Sequence, residues 1–146
     1  MIRIVIGVLL AFLYTALSSQ QVIVKDLKHW RFRQADVVGV DYLAQIPSCI
    51  HTDLLVNNLI SDPFYGANED SLQWINQTNW VYENHFLLTA KELKSGLIRL
   101  VFEGLDTDAK VSINGHNILI ANNMFLKYEL DITQFVEKKN YKIYDH

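Results

Sequence analysis

Of the sixteen acidic residues in this 146-residue chain, five could in principle form an acid/base pair: Glu69, Asp70, Glu103, Asp106 and Asp108. Two carboxyl groups can hydrolyse a glycosidic bond with retention when they are about 5 Å apart, or with inversion at about 6.5 to 9.5 Å. Asp106 and Asp108, however, belong to a GLDTD turn pattern, and Glu103 ends an apolar strand pattern. We interpret these acids as turn and solvated strand-end residues, and we predict no catalytic residue.

The other reactive side chains predict no metal site and no cofactor. The five histidines, at positions 29, 51, 85, 116 and 146, lack metal-ligand spacing, and Cys49 is the only cysteine. The sequence contains no G-x-S-x-G, P-loop or G-x-G-x-x-G pattern. Cys49 has two interpretations, a buried apolar filler or one half of a bond to another molecule, and the filler is the commoner role.

Aromatic side chains divide by their place in the pattern. Trp30, Trp80 and Tyr82 lie in strand patterns, where an aromatic residue usually packs in the core. Three others lie in a loop region and are candidates for an interdomain or sugar-facing surface: Phe64, Tyr65 and Trp74.

The elements that must position these residues are mostly strands. Residues 97–130 alternate apolar and polar side chains, with turn signals at GLDTD, Asn114-Gly115 and Asn122-Asn123. Asn114-Gly115 predicts a type I′ hairpin, because both central residues of that turn need positive φ. Turn signals about every 8 to 12 residues are typical of an antiparallel β-sandwich.

The segment from residue 47 to residue 75 interrupts the strands. Pro47 ends one pattern, and residues 51–59 predict one or two helical turns with Leu54, Leu55 and Leu59 pointing inward. Residues 61–68 form a loop by their Pro, Gly and Asn content, and residues 69–75 predict another short helical turn. We therefore expect a short helical and loop insertion that the sheets hold at one end.

Residues 1–18 predict a signal peptide. Arg3 supplies the basic start, residues 4–13 the apolar stretch, and Ala16-Leu17-Ser18 the small-residue cleavage site. The alternative is a membrane anchor, but the apolar run is shorter than the roughly 20 residues that a spanning helix needs. Residues 19–146 then form one domain in the secretory pathway, lysosomal or extracellular.

Two further features bear on the environment and the partners. Asn76-Gln77-Thr78 is a glycosylation sequon, which makes Asn76 the predicted glycan site. The formal net charge is −3, and Lys and Arg residues form no cluster, so a nucleic-acid partner is not expected.

Several motifs together resemble a known family. They are IPSCIHTDLL (46–55), DPFYGANE (62–69), WI (74–75), WVY (80–82), FEGLDT (102–107), ING (113–115) and NNMF (122–125). Their order and spacing resemble the amino-terminal domain of β-mannosidases of glycoside hydrolase family 2. The resemblance covers the chain from Trp30 to about Asn140.

The resemblance implies a jelly-roll, galactose-binding-like β-sandwich, here incomplete at its C-terminus. It also implies a parent enzyme that removes terminal β-D-mannose from the non-reducing end of oligosaccharides by a retaining mechanism. The two catalytic glutamates of the family lie on a TIM barrel far downstream, and a barrel needs about 250 residues. No catalytic or sugar-contacting residue of the family corresponds to a position in this chain.

Three hypotheses follow. The chain is the amino-terminal part of a β-mannosidase and is non-catalytic by itself, with β-mannoside oligosaccharides and the missing catalytic domain as partners of the parent. Alternatively, it is a free-standing secreted carbohydrate-binding module. The third hypothesis is a fragment without function, which unpaired strand edges would favour.

Overall fold

The computed structural model describes residues 2–8, 22–106, 108–136 and 141–145. The strands are β1 (Ile2–Val8), β2 (Val22–Asp26), β3 (Arg31–Gln34), β4 (Tyr42–Leu43), β5 (Trp80–Phe86), β6 (Gly96–Phe102), β7 (Ala109–Ile113), β8 (His116–Ala121), β9 (Tyr128–Asp131) and β10 (Tyr141–Asp145). The helices are α1 (Ile50–Val56), α2 (Asn68–Ser71) and α3 (Ala90–Leu93), with 3-10 turns at Gln73–Gln77 and Thr133–Phe135.

The strands form two antiparallel sheets that share one apolar core. One sheet has the order β2-β1-β6-β9 and the other the order β4-β3-β5-β10-β7-β8. Ile98, Leu100 and Phe102 from the first sheet and Val111 and Ile113 from the second belong to the same buried cluster. Inward side chains of two facing sheets form the core of a sandwich, so the predicted antiparallel all-β fold is confirmed.

The β7-β8 hairpin follows from local sequence. Asn114 has φ 50° and Gly115 has φ 82°, which is the pair of positive values that the Asn-Gly pattern predicts. Residues that tolerate positive φ thus set the hairpin register, which pairs Ile113 with His116.

The predicted insertion is present, but its helix presents a different face to the core. Leu54 is buried, whereas Leu55 and Leu59 are 37% and 39% exposed, so the prediction that all three point inward is wrong. A helix of this length turns only one side to the core. Asp53, which is fully buried, takes the inward position beside Leu54.

The predicted signal peptide falls partly on an element of the sheet. Ile2–Val8 forms β1, between β2 and β6, while residues 9–21 with the predicted cleavage site lie outside the described residues. In the part of the chain that the structure describes, no helix has the length and apolarity needed to cross a membrane.

Glu92 in α3 fastens β2 to the connection between β5 and β6. Its buried carboxylate pairs with Lys25 Nζ on β2 and accepts hydrogen bonds from the Thr89 N–H at 2.6 Å and the Thr89 hydroxyl at 2.9 Å. The Glu92 N–H donates in return to Thr89 Oγ1, which completes a capping box. Burial alone would raise the pKa of Glu92, but Lys25 and Thr89 outweigh it and hold the pKa below 4.5.

We expect Glu92→Gln to lower the free energy of unfolding by about 1 to 3 kcal/mol at neutral pH, toward the lower end because Lys25 is partly exposed. The pKa of Glu92 is lower in the folded chain than in the unfolded one. Its stabilisation is therefore present above pH 4.5 and is lost as the pH falls through the folded-state value. Urea unfolding between neutral and strongly acidic pH should show a smaller loss of stability in the variant than in the parent.

Glu69→Gln is the matched control, because Glu69 is exposed in α2. This control should keep the parent's dependence on pH. If the free energy of unfolding of Glu92→Gln falls with decreasing pH as steeply as that of the unchanged chain, the ionised Glu92 does not supply the stabilisation.

Candidate functional site

A cleft of about 430 Å³ opens at one end of the sandwich. Its walls come from three loop segments that are far apart in the sequence, within residues 46–50, 75–80 and 104–109. Ile2, Trp30 and Tyr82 complete the lining. A cleft with both polar and apolar walls, built from loops on a rigid scaffold, is the usual place for a binding site.

The first wall is held by the buried carboxylate of Asp53. Its Oδ1 accepts the Gln45 N–H at 2.9 Å, and its Oδ2 accepts the Tyr82 hydroxyl at 3.0 Å. At the end of the same helix, Asn57 Nδ2 donates to the carbonyls of Leu43 at 2.9 Å and of Asp53 at 2.8 Å. These bonds fix α1, and with it the Pro47 loop, to β4 and β5.

The second wall is a short 3-10 turn braced by two tryptophans. Trp80 Nε1 donates to the Ile75 carbonyl at 3.1 Å, and the Thr78 hydroxyl donates to the Trp74 carbonyl at 2.9 Å. The Trp74 and Trp80 ring centroids are 6.0 Å apart. Because Ile75 is buried beneath the turn, this wall is anchored to the second apolar cluster of the molecule.

The third wall contains the two aspartates of the GLDTD segment. Leu105 is 5% exposed and anchors this wall in the core. A Cβ at Gly104 would lie 3.0 Å from the Met124 carbonyl oxygen, so the backbone approaches the neighbouring loop closely there. Asp106 and Asp108 line the cleft.

The other candidate acids lie away from the cleft lining. Glu69 and Asp70 are exposed in α2. Glu103 is 3.6 Å from Arg3 Nη1, in an ion pair at the end of β6. Of the five acids identified in the sequence, the cleft therefore contains Asp106 and Asp108, and both lie on a single loop.

The lining suits a ligand that is rich in hydroxyl groups. Trp80 and Tyr82 contribute aromatic rings to the lining, although both also pack against Phe32. Asn76, Asn79 and the two aspartates contribute amide and carboxylate groups. Aromatic faces combined with such polar groups can stack on a sugar ring and hydrogen-bond its hydroxyls. The arrangement supports binding.

The three loop aromatics singled out in the sequence lie outside this lining. Phe64 and Tyr65 are 96% and 79% exposed. Trp74 packs against Trp80, which lines the cleft, but Trp74 is not itself in the lining. Their interdomain or sugar-facing role stays a prediction. Exposed large aromatics on one loop are typical of a contact surface.

Cys49 does not fill the core. It is exposed at the start of α1, lines the cleft, and has its Sγ 3.3 Å from Thr52 Oγ1. The buried-filler interpretation is therefore wrong, because Cys49 lies in the loop that precedes the helix. Among the described residues, no group of three or more His, Cys, Asp or Glu side chains is arranged to hold a metal ion.

Comparison with known proteins identifies the domain. Residues 30–144 match the family model described as glycosyl hydrolase 2 galactose-binding domain-like. The chain belongs to this family. The match confirms the galactose-binding-like fold that the motifs predicted.

The curated relatives include fungal β-mannosidases. The chain is 41% identical over 108 residues to β-mannosidase B of Aspergillus terreus, and this match covers 72% of the chain and 13% of the relative. It is 44% identical over 111 residues to β-mannosidase B of Emericella nidulans, with 74% of the chain and 13% of the relative covered. The chain thus matches about an eighth of the length of these relatives.

Solved structures also resemble the chain over a small part of their own length. The β-D-mannosidase of Dictyoglomus thermophilum superimposes with a TM-score of 0.78 and 32% identity over 82% of the chain, which corresponds to 14% of that protein. The exo-chitosanase CsxA of Amycolatopsis orientalis superimposes with a TM-score of 0.72 at 20% identity, over 83% of the chain and 16% of that protein. At that identity the second likeness concerns the fold.

We expect Tyr82→Phe to lower the free energy of unfolding by about 1 to 3 kcal/mol, because a fully buried Asp53 oxygen loses its hydroxyl donor. Tyr65→Phe is the matched control, since Tyr65 is 79% exposed and should change stability by less than about 0.5 kcal/mol. Urea unfolding of the two variants measures the difference. Equal effects in both would contradict the anchoring role of Asp53.

Proposed function

We propose that this chain is the amino-terminal sandwich portion of a β-mannosidase-like glycoside hydrolase. The parent enzyme hydrolyses terminal, non-reducing β-D-mannose residues in β-mannosides with retention of configuration. Its acid/base and nucleophile glutamates belong to a downstream barrel. The sandwich itself is non-catalytic.

The observation that carries this proposal is the similarity to proteins named β-mannosidase, both in sequence and in superimposed structure. The matched part of each relative is a small fraction of its length, which leaves ample chain for a separate catalytic domain. The scattered acids of this domain also support a non-catalytic role. Asp106 and Asp108 share one loop instead of facing each other across the cleft.

The exposed loop aromatics fit the same role. Phe64 and Tyr65 present ring faces to solvent beside the short helix α2. An apolar surface of this kind is suited to contact with another domain of the same enzyme.

Fractionation of the source material tests the proposal. Fractions separated by size are assayed with an aryl β-mannoside and, in parallel, probed on denaturing blots with an antibody against residues 62–74. We expect β-mannosidase activity and antibody signal to coincide in a protein several times heavier than 16.9 kDa. An aryl α-mannoside serves as the substrate control and should give no coincident activity.

The purified 146-residue chain should give no turnover of the aryl β-mannoside. Turnover by this chain would overturn the non-catalytic role. Antibody signal confined to a band of the size expected for this chain alone, after removal of residues 1–18 and with or without a glycan, would overturn the assignment to a longer enzyme if the same fractions show no activity.

A second candidate function, a carbohydrate-binding module, is favoured by the cleft. Trp30, Trp80 and Tyr82 line it together with two asparagines and two aspartates. If the module binds sugar by itself, a β-mannoside should shift the tryptophan fluorescence and raise the melting temperature of the chain. The absence of both changes at saturating sugar would exclude this function.

The predicted glycan bears on the same cleft. Asn76 is exposed and lines the cleft mouth, so a glycan there would share space with a bound oligosaccharide. We expect Asn76→Gln to abolish the mobility change that an N-glycosidase produces in the chain expressed through the secretory pathway. Asn79→Gln is the control, because Asn79 lies in the same cleft outside the sequon and should leave the change intact.

Retention of the N-glycosidase effect in Asn76→Gln would contradict glycosylation at this site. Glycosylation of the unmutated chain would support the secretory route, lysosomal or extracellular, that the first 18 residues predict. If the unmutated chain never acquires a glycan, that result would count against glycosylation at Asn76 and against the secretory route.

A further inference from the structure

The strand β10 lies inside the six-stranded sheet, and both of its neighbours extend past its last described pairs. It runs antiparallel to β5 on one side and to β7 on the other. Asp145 is paired with Tyr82 on β5 and with Val111 on β7. Since β5 begins at Trp80 and β7 begins at Ala109, each neighbour continues for two residues beyond the pair with Asp145.

The two extensions face each other across the line of β10. Val81 is paired with β3 and Lys110 with β8, so the sheet holds both extensions from their outer sides. We call the place between residues 80–81 and residues 109–110 the slot. Because β10 separates β5 from β7 by two strand spacings, roughly 9.5 Å, the slot has the width of one strand.

The slot leads into the cleft. Trp80 and Ala109 at its far end both line the cleft, together with Asn79 and Asp108, which precede them in the chain. Two residues of strand span about 7 Å. In the register of β10, the second residue after Asp145 would therefore lie between Trp80 and Ala109, and the following residues would enter the cleft.

We propose that the slot and the cleft receive the polypeptide that follows β10 in the longer enzyme, as a continuation of that strand. This inference rests on the proposed function, which supplies the longer chain, and the matched relatives are several times longer than this domain. The occupant is extended polypeptide joined to β10, and the carbohydrate-binding alternative would then not use this cleft.

The backbone explains why extended polypeptide suits this place. Each residue of a strand carries one N–H and one C=O, and a strand between two others can pair with both. On the inner side of the slot, Ala109 is 6% exposed and belongs to the apolar core. A small side chain there leaves room for an apolar residue of the incoming strand beside it.

Hydrogen exchange tests the proposal on the folded 146-residue chain, with and without four residues added after His146. One extension is Val-Thr-Val-Thr, which places its first valine on the face of Ala109. The matched control, Pro-Thr-Pro-Thr, has the same length, lacks two N–H donors and is disfavoured inside a sheet. Nuclear magnetic resonance follows the backbone amides of residues 80–81 and 109–110, with those of β9 as the reference.

We expect the Val-Thr-Val-Thr extension to slow exchange of the slot amides by at least about tenfold relative to the reference. The proline extension should leave their exchange as it is in the chain without an extension. Equal slowing by both extensions would overturn strand pairing in the slot, and so would no slowing by either.

A third extension identifies the occupant. It carries the four residues that the source transcript encodes directly after His146, and it should slow the slot amides as Val-Thr-Val-Thr does. Unchanged exchange would overturn the proposal and leave the β-mannosidase assignment intact, because size and activity decide that assignment. A transcript that stops at His146 would instead overturn the proposed function, and the occupant with it, before any exchange is measured.

A second copy of the chain is the remaining occupant that the experiment distinguishes. Gel filtration of the chain without an extension should show a monomer. A dimer whose slot amides are already slow to exchange would overturn the proposal, because the second copy would then fill the slot.

Discussion

The Asp53 carboxylate lies out of contact with solvent, and the geometry of the cleft depends on the two donors that satisfy it. A buried carboxylate without partners is costly, so the fold must bring the Gln45 N–H and the Tyr82 hydroxyl to its two oxygens. One donor precedes the helix in sequence and the other lies on β5, which runs through the six-stranded sheet. Together with Asn57 at the other end of the helix, this buried carboxylate sets the position of α1 relative to the sandwich.

The other walls depend on similar local constraints of different chemistry. Trp80 donates its indole N–H to the Ile75 carbonyl inside the 3-10 turn, and Gly104 leaves room for a close approach of two loops where a Cβ would make a tight contact. None of these constraints requires an external ligand. The cleft is therefore preformed, which lowers the conformational cost of binding whether the partner is a sugar or another domain.

The sequence predicts those parts of the structure that depend only on residues close together in the chain. The Asn114-Gly115 hairpin needs only two residues that tolerate positive φ, and strand alternation needs only a buried face. The cleft could not be predicted, because three distant segments meet there. Placing Leu55 and Leu59 in the core also failed, since a short amphipathic pattern does not show that a buried aspartate takes the inward position.

Cys49 adds a practical consequence to this geometry. It is the only thiol in the sequence, it is accessible, and it lies on the cleft wall beside Pro47. A maleimide dye would therefore attach at one known position without mutagenesis. Changes in the dye's polarity-sensitive emission would report directly on what enters the cleft, in the isolated domain or in any longer protein that contains it.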